Sequence, residues 1–171
     1  MWHKLRSVLG LGRKNSASRP PTMYEQYDIG AGTRIYRSNL DGIFPHLLHI
    51  GKNCIVAPEA MILTHDASYY LFTGEYRVAP VHIGDNCFIG YGVVIMPGVT
   101  IGNKVIIGAG SVVTRDLPSD SVAVGSPAKV ICSIDEYLKK RNKEQMVRAP
   151  FPGKAPVDVT PEDIEAFQKL V

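Results

Sequence analysis

This 171-residue chain should fold as an all-β solenoid with short helical extensions at its N- and C-termini. Three observations point there. From Ile83 the sequence reads IGDNCF, IGYGVV, IMPGVT, IGNKVI, IGAGSV, VTRDLP. An aliphatic residue thus returns every six positions, at Ile83, Ile89, Ile95, Ile101, Ile107 and Val113, and a fixed period marks a repeat architecture. Six is a multiple of the two-residue strand period, so each hexad can hold a short strand and a turn. Finally, 16 glycines and 12 prolines argue against a helical bundle, and no apolar run approaches the ~18–20 residues of a membrane-spanning helix.

Taken in order, the chain opens with a basic arm over residues 1–22. Lys4, Arg6, Arg13, Lys14 and Arg19 lie there with no acid, so a net charge of +3 leaves the remainder slightly negative. A broad positive face for nucleic acid is therefore not expected. Residues 1–10 pattern as a short amphipathic helix with Trp2, Leu5 and Leu9 on one side, too short and interrupted for a signal peptide. That arm is read as a disordered or subunit-packing segment, with weak peripheral membrane contact through residues 1–10 as the alternative.

The solenoid should occupy residues 23–132. The six-residue period also fits Ile29 and Ile35, then Ile50, Val56 and Ile62. These aliphatic side chains should point inward. The glycine that follows many of them should turn the corner at positive φ. Four residues on, Cys54, Cys87, Val93, Val99, Val105 and Ser111 are small or β-branched, as a second inward ladder requires. Three hexads would close one triangular coil, and stacked coils would share a continuous core. The period breaks at 36–49 and at 64–82. Long irregular excursions from a solenoid are usually functional, and the second carries Tyr69, Tyr70, Phe72 and Tyr76. It reads as a loop packed on a neighbour or over a substrate.

Residues 133–171 should form a helical tail. Ser133 and Glu136 make a capping box ahead of a helix at about 134–146, and Thr160, Pro161 and Asp163 open a last short helix. Three widely spaced cysteines are neither a disulfide framework nor a zinc set. They point to a reducing compartment, the cytoplasm. No metal site is expected.

The hexads, with VVTRDLP and GSPAKVI after them, resemble the hexapeptide-repeat acyltransferases, in particular the branch of galactoside, maltose and xenobiotic acetyltransferases and polysaccharide-modifying enzymes. The likeness covers about residues 28–132. It implies a left-handed parallel β-helix, acetyl-CoA as cosubstrate, and a homotrimer with the cofactor groove between chains. In that family a histidine opening the loop is the general base, and His65 in ILTHDAS matches it. The resemblance also matches Tyr91, Gly92, Ala109 and Thr114 to positions lining the pantetheine groove, and Lys129 to a basic position near the 3′-phosphate. The chain departs from its relatives at Tyr91-Gly92, where many have Ser or Ala and then Asn or His. Residues 1–27 are also expected to be too short for the helical N-terminal domain of the maltose enzymes, which argues against small free sugars and toward polysaccharide-type or nucleotide-linked acceptors.

The chemistry fits those residue types. Acetyl transfer to a hydroxyl needs a base, oxyanion donors and alignment of the reactants, and histidine titrates near working pH. Asp66 is the adjacent carboxylate that could orient His65, but neighbours on an extended segment face opposite ways, so a backbone carbonyl competes for that role. Asn39 and Asp41 in RSNLDG are polar and placed near the rim for acceptor hydroxyls, although turns also favour such residues. His46 and His49 lie in the first insertion, and His82, just before inward Ile83, should face outward. The expected activity is O-acetylation of a sugar, on a cell-surface polysaccharide or its precursor, with no acyl-enzyme. The alternatives are N-acetylation of a nucleotide-linked amino sugar and a non-catalytic scaffold.

Overall fold

The computed structural model describes residues 26–141, 160–162 and 165. The basic arm, residues 142–146 and Asp163 lie outside them. The first coil is β1 (Asp28–Ile29), β2 (Arg34–Ile35) and β3 (Asn39–Leu40), and the second is β4 (Leu48–Ile50), β5 (Ile55–Val56) and β6 (Met61–Ile62). An excursion follows, with β7 (His65–Asp66), the four-residue α1 (Tyr70–Thr73) and β8 (Arg77–Val78). The stack resumes with β9 (Val81–Ile83), β10 (Phe88–Ile89) and β11 (Val94–Ile95), then β12 (Thr100–Ile101), β13 (Ile106–Ile107) and β14 (Val112–Val113). It ends on β15 (Ser121–Val124), β16 (Lys129–Ser133) and α2 (Ile134–Arg141).

Strands from successive coils pair in parallel register to make three faces. The first face runs β1-β4-β9-β12, the second β2-β5-β10-β13-β15-β16 and the third β3-β6-β11-β14. Ile50 and Ile83, Val56 and Ile89, and Ile62 and Ile95 are register partners. Both inward ladders form. Ile50, Val56, Ile62, Ile83, Ile89, Ile95, Ile101, Ile107 and Val113 are buried, as are Cys54, Cys87, Val93, Val99, Val105 and Ser111. Ile29 and Ile35, in the first coil, are partly buried against this core. Each fully buried aliphatic side chain contributes about 1.5–3 kcal/mol, so stability accrues coil by coil along the axis.

Two details depart from expectation. The glycines after the inward aliphatics do not supply positive φ. They are required because coils stack backbone on backbone: a Cβ on Gly51 would lie 2.6 Å from the carbonyl carbon of Gly84. Positive φ falls just before the second-ladder residue instead, at Asn53, Asn86, Gly92 and Lys104. In addition, residues 39–40, inside the expected insertion at 36–49, form β3 and complete the first coil. Leu40 pairs with Ile62 after a five-residue step from Ile35, and that missing residue hides the strand from a six-residue count.

The second excursion is a small antiparallel hairpin, with His65 opposite Val78 and Asp66 opposite Arg77. Stacked positions on either side of it, Cys54 and Cys87, are 33 residues apart, against 18 for Asp85 and Asn103 one coil later. The capping box forms: the Glu136 N–H donates to Ser133 Oγ (3.2 Å) and the Ser133 N–H to Glu136 Oε2 (2.8 Å). Pro161, Glu162 and Glu165 are helical. Among the described residues no helix is long and apolar enough to cross a membrane.

Candidate active site

The chain leaves the solenoid at the end of β6, and the manner of its leaving builds the site. Leu63 still donates its N–H to the Ile95 carbonyl (3.0 Å). Thr64 is buried and donates both its N–H and its hydroxyl to Asp41 Oδ2, each at 2.8 Å. His65 follows at the first position of β7, with its Nδ1 2.5 Å from the same carboxylate oxygen. Asp41 is itself anchored just past β3, where its N–H bonds to the Ile62 carbonyl (3.0 Å) and its Oδ1 accepts the Ile43 N–H (3.0 Å). One carboxylate therefore ties together the first coil, the second coil and the hairpin.

Its side chain is 1% exposed, against 20% for His65. Burial alone would raise the Asp41 pKa. The hydrogen bonds donated by His65, Ile43 and Thr64 outweigh that and hold it at about 2. An ionised carboxylate only accepts hydrogen bonds, so His65 Nδ1 carries the proton of this contact and Nε2 is the ring nitrogen left to act on another group. Two rings flank the imidazole edge-on: Phe44, with centroids 5.8 Å apart, and Tyr76, at 6.1 Å. The result is an oriented imidazole with an anionic partner behind it, an arrangement suited to taking up a proton.

The other expected residues separate into groups. Asp41, expected at the rim to meet acceptor hydroxyls, is buried and committed to His65 and Thr64. Asp66 does not orient His65: its Oδ1 accepts the Ser68 N–H (2.8 Å), and those Ser68 hydrogen bonds lower its pKa. Asn39 is exposed on the outer third face, opposite Met61. Tyr91, Gly92 and Ala109 line one edge of that face, joined by the Gly110 N–H to Tyr91 carbonyl bond (2.8 Å). Nothing lies within 4 Å of where a Cβ of Gly92 or Gly110 would stand. Exposed Thr114 marks the opposite edge, the one from which His65 departs two coils earlier. Lys129 is exposed at the start of β16, opposite Val124. His82 faces outward, its ring stacked on His49 at 4.6 Å. Cys54 and Cys87 are core residues, and among the described residues no group of three or more His, Cys, Asp or Glu could hold a metal ion.

Sequence reasoning did not single out Phe44 or Thr64 around His65, and it named Tyr76 only as one of the aromatics of the second excursion. Thr64 adjoins His65 and could have been suspected as an anchor. Phe44 carried no signal, because a turn of irregular length brings it there.

The repeat that builds this stack is that of a known class of transferases. Residues 80–115 match the model for "Bacterial transferase hexapeptide (six repeats)". The chain is 39% identical over 125 residues to galactoside O-acetyltransferase of Escherichia coli K12, a match covering 70% of this chain and 62% of that one. It is 42% identical over 142 residues to the Saccharomyces cerevisiae protein YJL218W, covering 77% of this chain and 70% of its length. Among solved structures, a Vibrio cholerae hexapeptide-repeat acetyltransferase complexed with acetyl-CoA aligns at TM-score 0.57 and 32% identity, covering 64% of this chain and 61% of that one. A maltose O-acetyltransferase of Clostridium difficile aligns at TM-score 0.53 and 33% identity, covering 65% and 72%. The chain belongs to the hexapeptide-repeat acetyltransferase family, on the branch of the galactoside and maltose O-acetyltransferases. It spans under two thirds of the E. coli relative's length.

Proposed function

We propose that this chain is an acetyl-CoA-dependent O-acetyltransferase that modifies a sugar hydroxyl, built on a left-handed β-helix and acting in the cytoplasm on a cell-surface polysaccharide or its precursor. The observation that carries this reading is the buried Asp41 carboxylate against His65 Nδ1. It supports a base held in one tautomer and one orientation.

In this reading His65 Nε2 takes the acceptor's hydroxyl proton as the oxygen adds to the thioester carbonyl. It returns that proton to the departing thiolate, so no acyl-enzyme forms. Asp41 remains ionised and stabilises the transient imidazolium. Tyr91, Gly92 and Ala109 form an open track where pantetheine can lie against backbone, with Thr114 on the far edge and Lys129 offering charge to a phosphate. Met61 on the third face, and Ile55 and Phe88 on the second, are exposed in the single chain. That apolar surface suits subunit contact, and a homotrimer would bury it.

Calorimetry with acetyl-CoA on wild type and His65→Ala, beside a thiol-release assay over sugars and nucleotide sugars, tests the reading. Binding by both proteins with turnover only in wild type is the expected result. Absence of binding in either overturns it.

A further inference from the structure

The first face carries an outward column that the transfer chemistry above does not use. Strand alternation turns His49 out between buried Leu48 and Ile50, and His82 out between buried Val81 and Ile83. The two histidines are register partners on β4 and β9. Their rings lie 4.6 Å apart with planes 5° from parallel. Asp28 stands opposite His49 on β1, with its Oδ2 2.9 Å from His49 Nδ1. Thr100 pairs with His82 at the other end, so the column holds no lysine or arginine. It meets solvent: the His49 side chain is 37% exposed and that of Asp28 78%, and His82 is exposed. The outward apolar residues Ile55, Met61 and Phe88 lie on the other two faces, so subunit contact through them does not draw on this one.

Two imidazoles held in register on adjacent strands have a definite ligand chemistry. Neutral imidazole suits a borderline divalent cation such as zinc. A carboxylate only accepts hydrogen bonds, so the Asp28 contact puts the proton on His49 Nδ1 and leaves Nε2 to a ligand. That is the carboxylate–histidine pairing that orients metal-binding imidazoles. Zinc–nitrogen bonds of about 2.0–2.1 Å at tetrahedral angles set two such nitrogens about 3.3 Å apart. Stacked rings hold their lone pairs in parallel planes, so a tilt about the broad χ2 torsion must aim both at one cation. Two protein donors leave the remaining positions to water. This set is smaller than the three-residue groups absent among the described residues, and it uses no cysteine, the residue type on which the expectation of no metal rested.

We propose that His49 and His82 are the two protein ligands of a zinc-type divalent cation, with Asp28 orienting His49 and water completing the shell. The placement gives the cation a structural part. Between the two histidines the chain runs through β5, β6 and the whole excursion that carries His65. A cation held by both clamps the coil before the excursion to the coil after it. The site does not depend on the acetyl-transfer reading.

The test titrates zinc chloride into the full-length protein by calorimetry, with the imidazole nitrogens followed by NMR. The expected result is a single zinc per chain, with the His49 and His82 nitrogen signals shifted and those of His65 unmoved. His49→Gln and His82→Gln should each weaken binding by more than about tenfold, and Asp28→Asn by about tenfold, the cost of losing an outer-shell partner. His46→Gln should leave binding as it is. At a zinc concentration about ten times its Kd, the unfolding equilibrium constant of the wild type should fall about tenfold, while that of His82→Gln should not move. Zinc binding that survives both His49→Gln and His82→Gln, or that disappears in His65→Ala, overturns the site, as does the failure of zinc to bind. Binding that leaves the unfolding constant unchanged overturns the clamp.

Discussion

His65 Nδ1 and Asp41 Oδ2 stand 2.5 Å apart, although 24 residues separate them in sequence. The distance closes because β3 and β6 are neighbours on the third face, which brings Asp41, one residue past Leu40, up against the point where the chain departs at Thr64.

Asp41→Asn should therefore damage the reaction more than the binding. An amide can present an N–H to Nδ1 and favour the wrong tautomer. We expect kcat to fall by about 10²–10⁴-fold, the range of general-base assistance, with acetyl-CoA affinity unchanged. Steady-state kinetics beside calorimetry checks this, and a wild-type kcat in the variant would remove Asp41 from the mechanism.

The same residue sets a pH dependence of stability. Its pKa is about 2 in the folded chain against an ordinary 3.8. A lowered carboxylate pKa stabilises the fold above the unfolded value, and that contribution drains away as pH falls from about 4 toward 2. The gap corresponds to about 2 kcal/mol. Unfolding free energies of wild type and Asp41→Asn from urea titrations should differ by about that amount at pH 6 and converge only below about pH 2.

Backbone stacking predicts unequal costs for two glycine substitutions. In Gly51→Ala the new Cβ would lie 2.6 Å from the Gly84 carbonyl carbon, a group held in the next coil, and we expect a loss of about 3 kcal/mol. Gly110→Ala meets no neighbour and pays only for φ of +69°, about 1 kcal/mol. Denaturant titrations should rank them in that order.

Ser133→Ala should cost about 1 kcal/mol, since it removes the hydroxyl that accepts the Glu136 N–H and donates to Glu136 Oε2. Hydrogen exchange should show the loss confined to the first turn of α2.

Much of this architecture could be read from the residues. The inward ladders, the outward His82 and the capping box all follow from local periodicity, and Ile83 through Val113 need no long-range information. What stayed hidden depends on stacking. The spacing from Ile35 to Leu40 is one residue short, so β3 looked like loop. Asp41 then seemed to be a rim residue, because its burial comes from a pairing partner more than twenty positions away. Gly51 announced a tight place correctly but for a different reason: the crowding is between coils and not within the turn. Phe44 and Tyr76 reach His65 from two irregular segments whose paths no period encodes.

The first coil is also the least buried. Ile29 and Ile35 are only partly covered, whereas the inward residues of the next three coils are buried. In a one-dimensional stack, local opening starts at such an end and spreads inward. Asp41 rides on that end coil and His65 on the better-packed one above it. Mild heating should therefore detach the carboxylate while the remaining coils stay wound, so that thermal inactivation precedes melting and reverses on cooling.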